Sequence, residues 1–230
     1  MKINKNFILA GFGLLLTAIL VCLVRFVDVQ PIGPEGTRIG LAALNGAVFE
    51  TFGVSMTWYK LTTVLGIVAL LSAGLFALLG LYQLIRRKSL KKVDRELYVL
   101  AGLYVVTVIL YVLFDKIAVN YRPTILPDET APEASFPSSH TMLVCVVMGS
   151  AMTLLPKYVK MPAIRIALTT LCAVVLGLTV AGRLISGAHW FTDIIGGIFI
   201  SITLLALYNG TVEALNAKEA MRHSKRSVRR

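Results

Sequence analysis

The chain has 230 residues, 57% of them hydrophobic and 15% charged, with a formal net charge of +11 and a mean hydropathy of +0.77. Apolar content this high excludes an ordinary soluble domain. The positive charge collects in short segments between apolar runs, which argues against a nucleic-acid partner and for a lipid bilayer.

Crossing the hydrocarbon takes about 20 apolar residues at roughly 1.5 Å each. Six runs approach or reach that length, from Asn6, Leu61, Leu97, Ser139, Ile166 and Ile194 onward. They predict an all-α, six-helix transmembrane bundle, with helices over about 6–26, 59–85, 97–114, 139–155, 164–182 and 190–209. The first run follows Met1-Lys2-Ile3-Asn4-Lys5. It is too long for a signal-peptide core and no small-x-small cleavage site follows it, so it reads as a retained anchor.

Between the first two helices, Ile39 to Phe49 predicts a short helix lying in the membrane interface, and Trp58 and Tyr59 stand where an aromatic belt is expected. The loop Arg86 to Glu96 is short and basic, and reads as a topology determinant. With six spans and a cytoplasmic N-terminus, all Lys and Arg except Arg25, Arg38, Lys60, Lys116, Arg122 and Arg183 fall on the cytoplasmic side. That is the positive-inside asymmetry, and it predicts both termini inside. A basic cytoplasmic tail is expected over 213–230, able to attract anionic lipid. Cys22, Cys145 and Cys172 fall within predicted helices and read as buried small apolar residues. No second domain is apparent, so residues 1–230 form one unit.

The second outer segment, Asp115 to Pro137, carries Pro123, Pro127, Pro132 and Pro137, which favour extended or turning chain. It leads through Pro137-Ser138-Ser139-His140 into the fourth span. Ser138 or Ser139 can cap that helix, whose free N–H groups make an anion site. After the fifth span comes Gly182-Arg183, then His189 and Asp193. A spacing of four places the last two on one helical face, so the carboxylate can hold one imidazole nitrogen and leave the other free. Gly196 and Gly197 would let a neighbouring helix approach closely.

Lys116, Arg122, His140, Arg183, His189 and Asp193 thus gather at the outer ends of helices three to six. Singly, each has a plainer reading as a snorkelling anchor or a cap. Together on one face they favour phosphoryl transfer. Fixed cations would hold phosphate oxygens, one histidine would attack phosphorus and the other would protonate the leaving group. No acidic cluster has metal-site spacing, so neither a metal nor another cofactor is required.

At these residues the chain resembles the type 2 phosphatidic acid phosphatases, membrane lipid phosphatases related to the vanadium haloperoxidases. The family's Lys-x6-Arg-Pro appears as Lys116-x5-Arg122-Pro123, one residue short. Pro-Ser-Gly-His appears as Pro137-Ser138-Ser139-His140, and Ser-Arg-x5-His-x3-Asp as Gly182-Arg183-x5-His189-x3-Asp193. The resemblance implies His189 as nucleophile, Asp193 as its orienting partner and His140 as general acid. Lys116, Arg122, Ser138, Ser139 and Arg183 would bind phosphate. It further implies metal-independent hydrolysis of a lipid phosphate or pyrophosphate: undecaprenyl pyrophosphate, phosphatidylglycerol phosphate or phosphatidic acid. The predicted topology puts the site outside, as for carrier recycling at a bacterial plasma membrane. A phosphotransferase with a lipid or sugar acceptor, or a silent lipid-binding or transport protein, are the alternatives.

Overall fold

The computed structural model describes residues 4–126 and 129–227, with side chains to residue 221. Lys2, Asp128, Arg229 and Arg230 lie outside the described residues, as do the side chains of Arg222, His223, Lys225 and Arg226. Seven α-helices occur among the described residues: α1 Lys5–Phe26, α2 Ala42–Phe52, α3 Met56–Arg87, α4 Arg95–Lys116, α5 Ser139–Tyr158, α6 Pro162–Ile185 and α7 Phe191–Ser227. All except α2 are long and apolar enough to cross a membrane. Two isolated bridges, Gln30 with Ile39 and Tyr121 with Ala134, replace any strand among those residues.

The bundle is organised around α5 and α7. One core joins Leu97, Leu100 and Leu103 of α4 to Met142, Val146 and Leu154 of α5 and Ile200, Leu204 and Tyr208 of α7. A second joins Ala69 of α3, Val144, Val147 and Met148 of α5, and Val175 of α6. Residues such as Leu14, Leu71 and Ile166 on α1, α3 and α6 are exposed, as lipid-facing side chains are. Helices with an apolar outer face screen two helices whose polar starts would be costly in lipid.

Helix ends depart from the sequence expectation. α5 continues past Pro156 to Tyr158: the proline forgoes its own i→i−4 bond, but the turn beyond it is still closed by Val159 N–H donating to the Leu155 carbonyl at 2.8 Å. α7 runs on to Ser227 instead of ending near residue 209. Hydropathy falls after Val212, but Glu213 to Met221 is rich in good helix formers, so the helix outlasts the apolar run. Arg95 fixes this extension through Glu219 at 2.7 Å. Cys145 is buried and Cys172 partly so, but Cys22 is exposed: its helical position points away from α7.

The basic loop at the far end is more than a charge marker. Asp94 accepts from Arg87 at 2.8 Å, and from Gln83 and Tyr158 at 3.0 Å each. These contacts staple α3, α4 and α5 together opposite the end where the motif residues lie.

Candidate active site

The described residues of the proline-rich segment beyond α4 form extended and turning chain, and its two arms lie side by side. Arg122 N–H donates to the Glu133 carbonyl and Ser135 N–H to the Asn120 carbonyl, both at 2.9 Å. This short ladder presents Arg122 and Ser135 towards the starts of α5 and α7. Ser138 N–H then donates to the Asp193 carbonyl at 3.0 Å, tying the two helix starts together. The Ser138 hydroxyl caps α5, accepting from Thr141 N–H at 3.4 Å. Ser138 does not line the cavity described below; Ser139 does.

The turn from α6 into α7 needs Gly187. Its φ is +67°, and a Cβ there would collide with the Gly53 carbonyl. The turn delivers His189, whose Nδ1 lies 3.1 Å from the Ser135 carbonyl and 3.7 Å from Asp193 Oδ2. A proton on Nδ1 donated to that carbonyl leaves the Nε2 lone pair free. Asp193 is fully buried and accepts from Trp190 N–H at 2.9 Å. The side chains of Asn120 and Ser135 face the same carboxylate.

Arg183 is buried, with its guanidinium carbon 4.9 Å from the Tyr59 ring centroid and Nη2 donating to Thr63 at 3.3 Å. Tyr59 and Thr63 belong to α3, so that helix sets the direction of a cation carried by α6. His140 rests on the same helix: a Cβ at Gly66 would stand 3.2 Å from its Cδ2. His140 lies within electrostatic range of Arg183, His189 and Arg122.

Six of the eight candidate residues therefore converge: Arg122, Ser139, His140, Arg183, His189 and Asp193. Besides Ser138, Lys116 is left out. It ends α4 with a side chain 77% exposed, paired to the adjacent Asp115 at 3.2 Å. The short spacing to Arg122 puts its stem on the outer surface of the helix end.

Burial drives the His189 pKa well below its ordinary value, and Arg122 and Arg183 push the same way; the Ser135 carbonyl opposes them. The ring is therefore neutral and its lone pair available at physiological pH. A polar cavity of about 80 Å³ is lined by Arg122, Glu133, Ser135, Ser139 and His189. Beside it, Gly66, Leu70, Tyr111, His140 and Leu143 line an apolar groove of about 460 Å³ between α3, α4 and α5. Tyr111, Ser139 and Met142 belong to both walls. A small polar chamber thus adjoins a larger apolar slot, with a histidine on each side. Among the described residues, no three His, Cys, Asp or Glu side chains converge as a metal-binding group.

Several supporting residues carry no motif signal. Asn45 of α2 exchanges hydrogen bonds with Thr192, at 3.0 and 3.2 Å, and Phe49 packs on Trp190 at 5.5 Å. Thus α2 clamps the start of α7, a task its weak amphipathic pattern did not indicate. Asn120, Ser135 and Thr63 were likewise invisible in sequence, and Tyr59 read only as an aromatic-belt residue, because each acts through a contact made across the fold. Gly197 does permit close approach of a neighbouring helix, at Thr141 of α5, while Gly196 makes room for Phe136 of the preceding segment.

The model of the PAP2 superfamily matches residues 95–216, a stretch holding all three motifs. Among solved structures, the fold is similar to a transmembrane PAP2-type phosphatidylglycerolphosphate phosphatase from Bacillus subtilis. The TM-score is 0.63 at 18% identity, covering 89% of this chain and 96% of that one. Comparison with curated proteins gives no match.

Proposed function

Because the chain belongs to the PAP2 superfamily and is a membrane lipid phosphatase, we propose that it hydrolyses a lipid phosphate or pyrophosphate through a phosphohistidine at His189. The observation carrying this reading is the buried, neutral His189. Its Nδ1 is held by the Ser135 carbonyl beside Asp193, while Arg122 and Arg183 flank it.

In this reading Arg122, Arg183 and the free N–H groups at the start of α5 hold the phosphate oxygens. His189 Nε2 attacks phosphorus, and the bond from phosphorus to the leaving oxygen breaks. The positive charge left on the imidazole is stabilised by Asp193. His140 gives a proton to the departing oxygen, which leaves as an alcohol or a lipid monophosphate. Water then attacks the phosphohistidine, with His140 accepting its proton, and inorganic phosphate departs. Two arginines provide the charge stabilisation in this reading, and no step is assigned to a metal ion.

The apolar groove beside His140 suits a lipid chain, which keeps the scissile phosphate at the polar chamber. The phosphatidylglycerolphosphate phosphatase activity of the Bacillus subtilis neighbour supports phosphatidylglycerol phosphate as a substrate. The distribution of basic residues supports an extracytoplasmic site on a bacterial plasma membrane, with both termini inside and one membrane unit over residues 1–230. That sidedness supports undecaprenyl pyrophosphate; phosphatidic acid completes the set.

Phosphate release by the purified protein in detergent, with chelator present, would rank the three lipids. Parallel assays with an added alcohol acceptor would reveal transfer. His189→Ala should abolish release while preserving the folded protein; wild-type turnover by that variant would remove the mechanism.

A further inference from the structure

Arg122 has a carboxylate environment that the phosphatase reading does not use. Glu129 Oε1 lies 3.6 Å and Glu133 Oε2 3.7 Å from Arg122 Nε. Both ion pairs run to Nε, the inner corner of the guanidinium, rather than to the terminal Nη fork that grips phosphate. That Nε is buried and makes no hydrogen bond of ordinary geometry. Both carboxylates stand just outside ordinary hydrogen-bonding range of it.

Their placement is built in from the backbone. The ladder that joins Tyr121 to Ala134 sets Glu133 across from Arg122, whose own N–H donates to the Glu133 carbonyl at 2.9 Å. Glu129 is anchored by Leu126 N–H, donating to Oε2 at 3.3 Å. Its side chain is 12% exposed and that of Arg122 is 16% exposed, so the pair is shielded from solvent. A surface ion pair would carry little meaning; one this enclosed fixes a long side chain that otherwise has many rotamers.

We propose that Glu129 and Glu133 are positioning residues that hold the Nε edge of Arg122 and so aim its Nη fork at the substrate phosphate. This rests on the phosphate-binding role assigned to Arg122 above. Glu133 also lines the polar cavity; the role assigned to both carboxylates is exerted through the arginine. Burial pushes the Glu129 carboxyl up from its ordinary value and a hydrogen bond with Glu133 adds to this, against the opposing pull of Arg122. The Glu129 carboxyl therefore takes up a proton more readily than a free one, which moderates its repulsion of an incoming phosphate.

The test compares Glu129→Gln, Glu133→Gln, the double variant and Arg122→Lys, each alone and combined with the double variant. Steady-state kinetics would use dioctanoyl phosphatidic acid in detergent micelles, with melting temperature as the control for folding. The double variant should raise KM about tenfold with kcat changed less than about twofold, the size of one charge-assisted hydrogen bond lost. Arg122→Lys should raise KM at least as far. In the Arg122→Lys background the glutamine substitutions should have no further effect. Unchanged KM in the double variant, or a lowered one, would overturn the proposal; a lowered KM would mean the carboxylates compete with phosphate. Equal effects in both backgrounds would also overturn it. If Arg122→Lys leaves KM unchanged, the phosphate role of Arg122 fails first. Should the double variant melt early, Glu133→Gln decides the matter, because that side chain is half exposed.

Discussion

Gly182 occupies the place where the resembled motif has serine, and the structure says why a side chain is not tolerated there. A Cβ would stand 2.5 Å from Thr62 Cγ2 and 2.8 Å from Trp58 Cε3. Carbon atoms settle at roughly 3.5–4.0 Å, so α3 and α6 would have to part by about 1 Å. Overpacking of this kind costs about 1–3 kcal/mol. The functional loss should exceed what stability alone implies, because the next residue is Arg183. Its Nη2 contact with Thr63 is already 3.3 Å and would open beyond hydrogen-bonding range. A displacement near 1 Å in a positioning group costs up to about 10²-fold in rate. We therefore expect Gly182→Ser to lower kcat/KM by about 10- to 100-fold and to depress the melting temperature in detergent. Adding Trp58→Leu and Thr62→Ser should restore part of both. The second change removes the obstructing methyl, yet keeps a hydroxyl for the Trp58 and Tyr59 carbonyls. A Gly182→Ser protein with wild-type melting and kcat/KM would refute the packing argument.

Loss of His140 should cost about 10²- to 10⁴-fold with a lipid alcohol as leaving group, and much less with nitrophenolate. Equal penalties for both would assign His140 to binding or structure. A buried His189 held neutral stabilises the fold fully above the unfolded pKa of about 6.5, and this contribution is lost as pH falls below it. The unfolded chain then binds one more proton, worth about 1.4 kcal/mol per pH unit, so melting between pH 7.5 and 5 should fall less steeply for His189→Asn than for wild type; equal slopes would contradict the assignment. For sidedness, a cysteine at Thr130 should react with an impermeant thiol reagent in intact cells, and one at Ser89 only after lysis. Replacing the native cysteines first is necessary, Cys22 above all, because it is exposed. The reverse labelling pattern would place the site in the cytoplasm.

The spans and the motif residues were legible in the sequence because both are written locally. A helix crossing lipid must be apolar along its length, so six runs declare themselves without reference to one another. The spacing of four drew attention to His189 and Asp193, but His189 lies in the turn ahead of α7, so their proximity is made by that turn and not by a shared helical face, whereas Ser138 does cap α5 from one residue ahead of the helix. What lay beyond the sequence were contacts between segments far apart in the chain. Lys116 and Arg122 belong to one motif, yet the end of α4 turns the lysine outwards while the ladder to Glu133 turns the arginine in. The extension of α7 past Val212 depends on helix propensity and on Arg95, not on hydropathy. The aim of Arg183 depends on Tyr59 and Thr63 of α3, and the hold on His189 depends on a backbone carbonyl whose side-chain identity carries no signal. Apolar length and helical period fix which residues reach the same end of the bundle. Only packing decides which of them face one another, because side-chain direction there is set by partners on other helices.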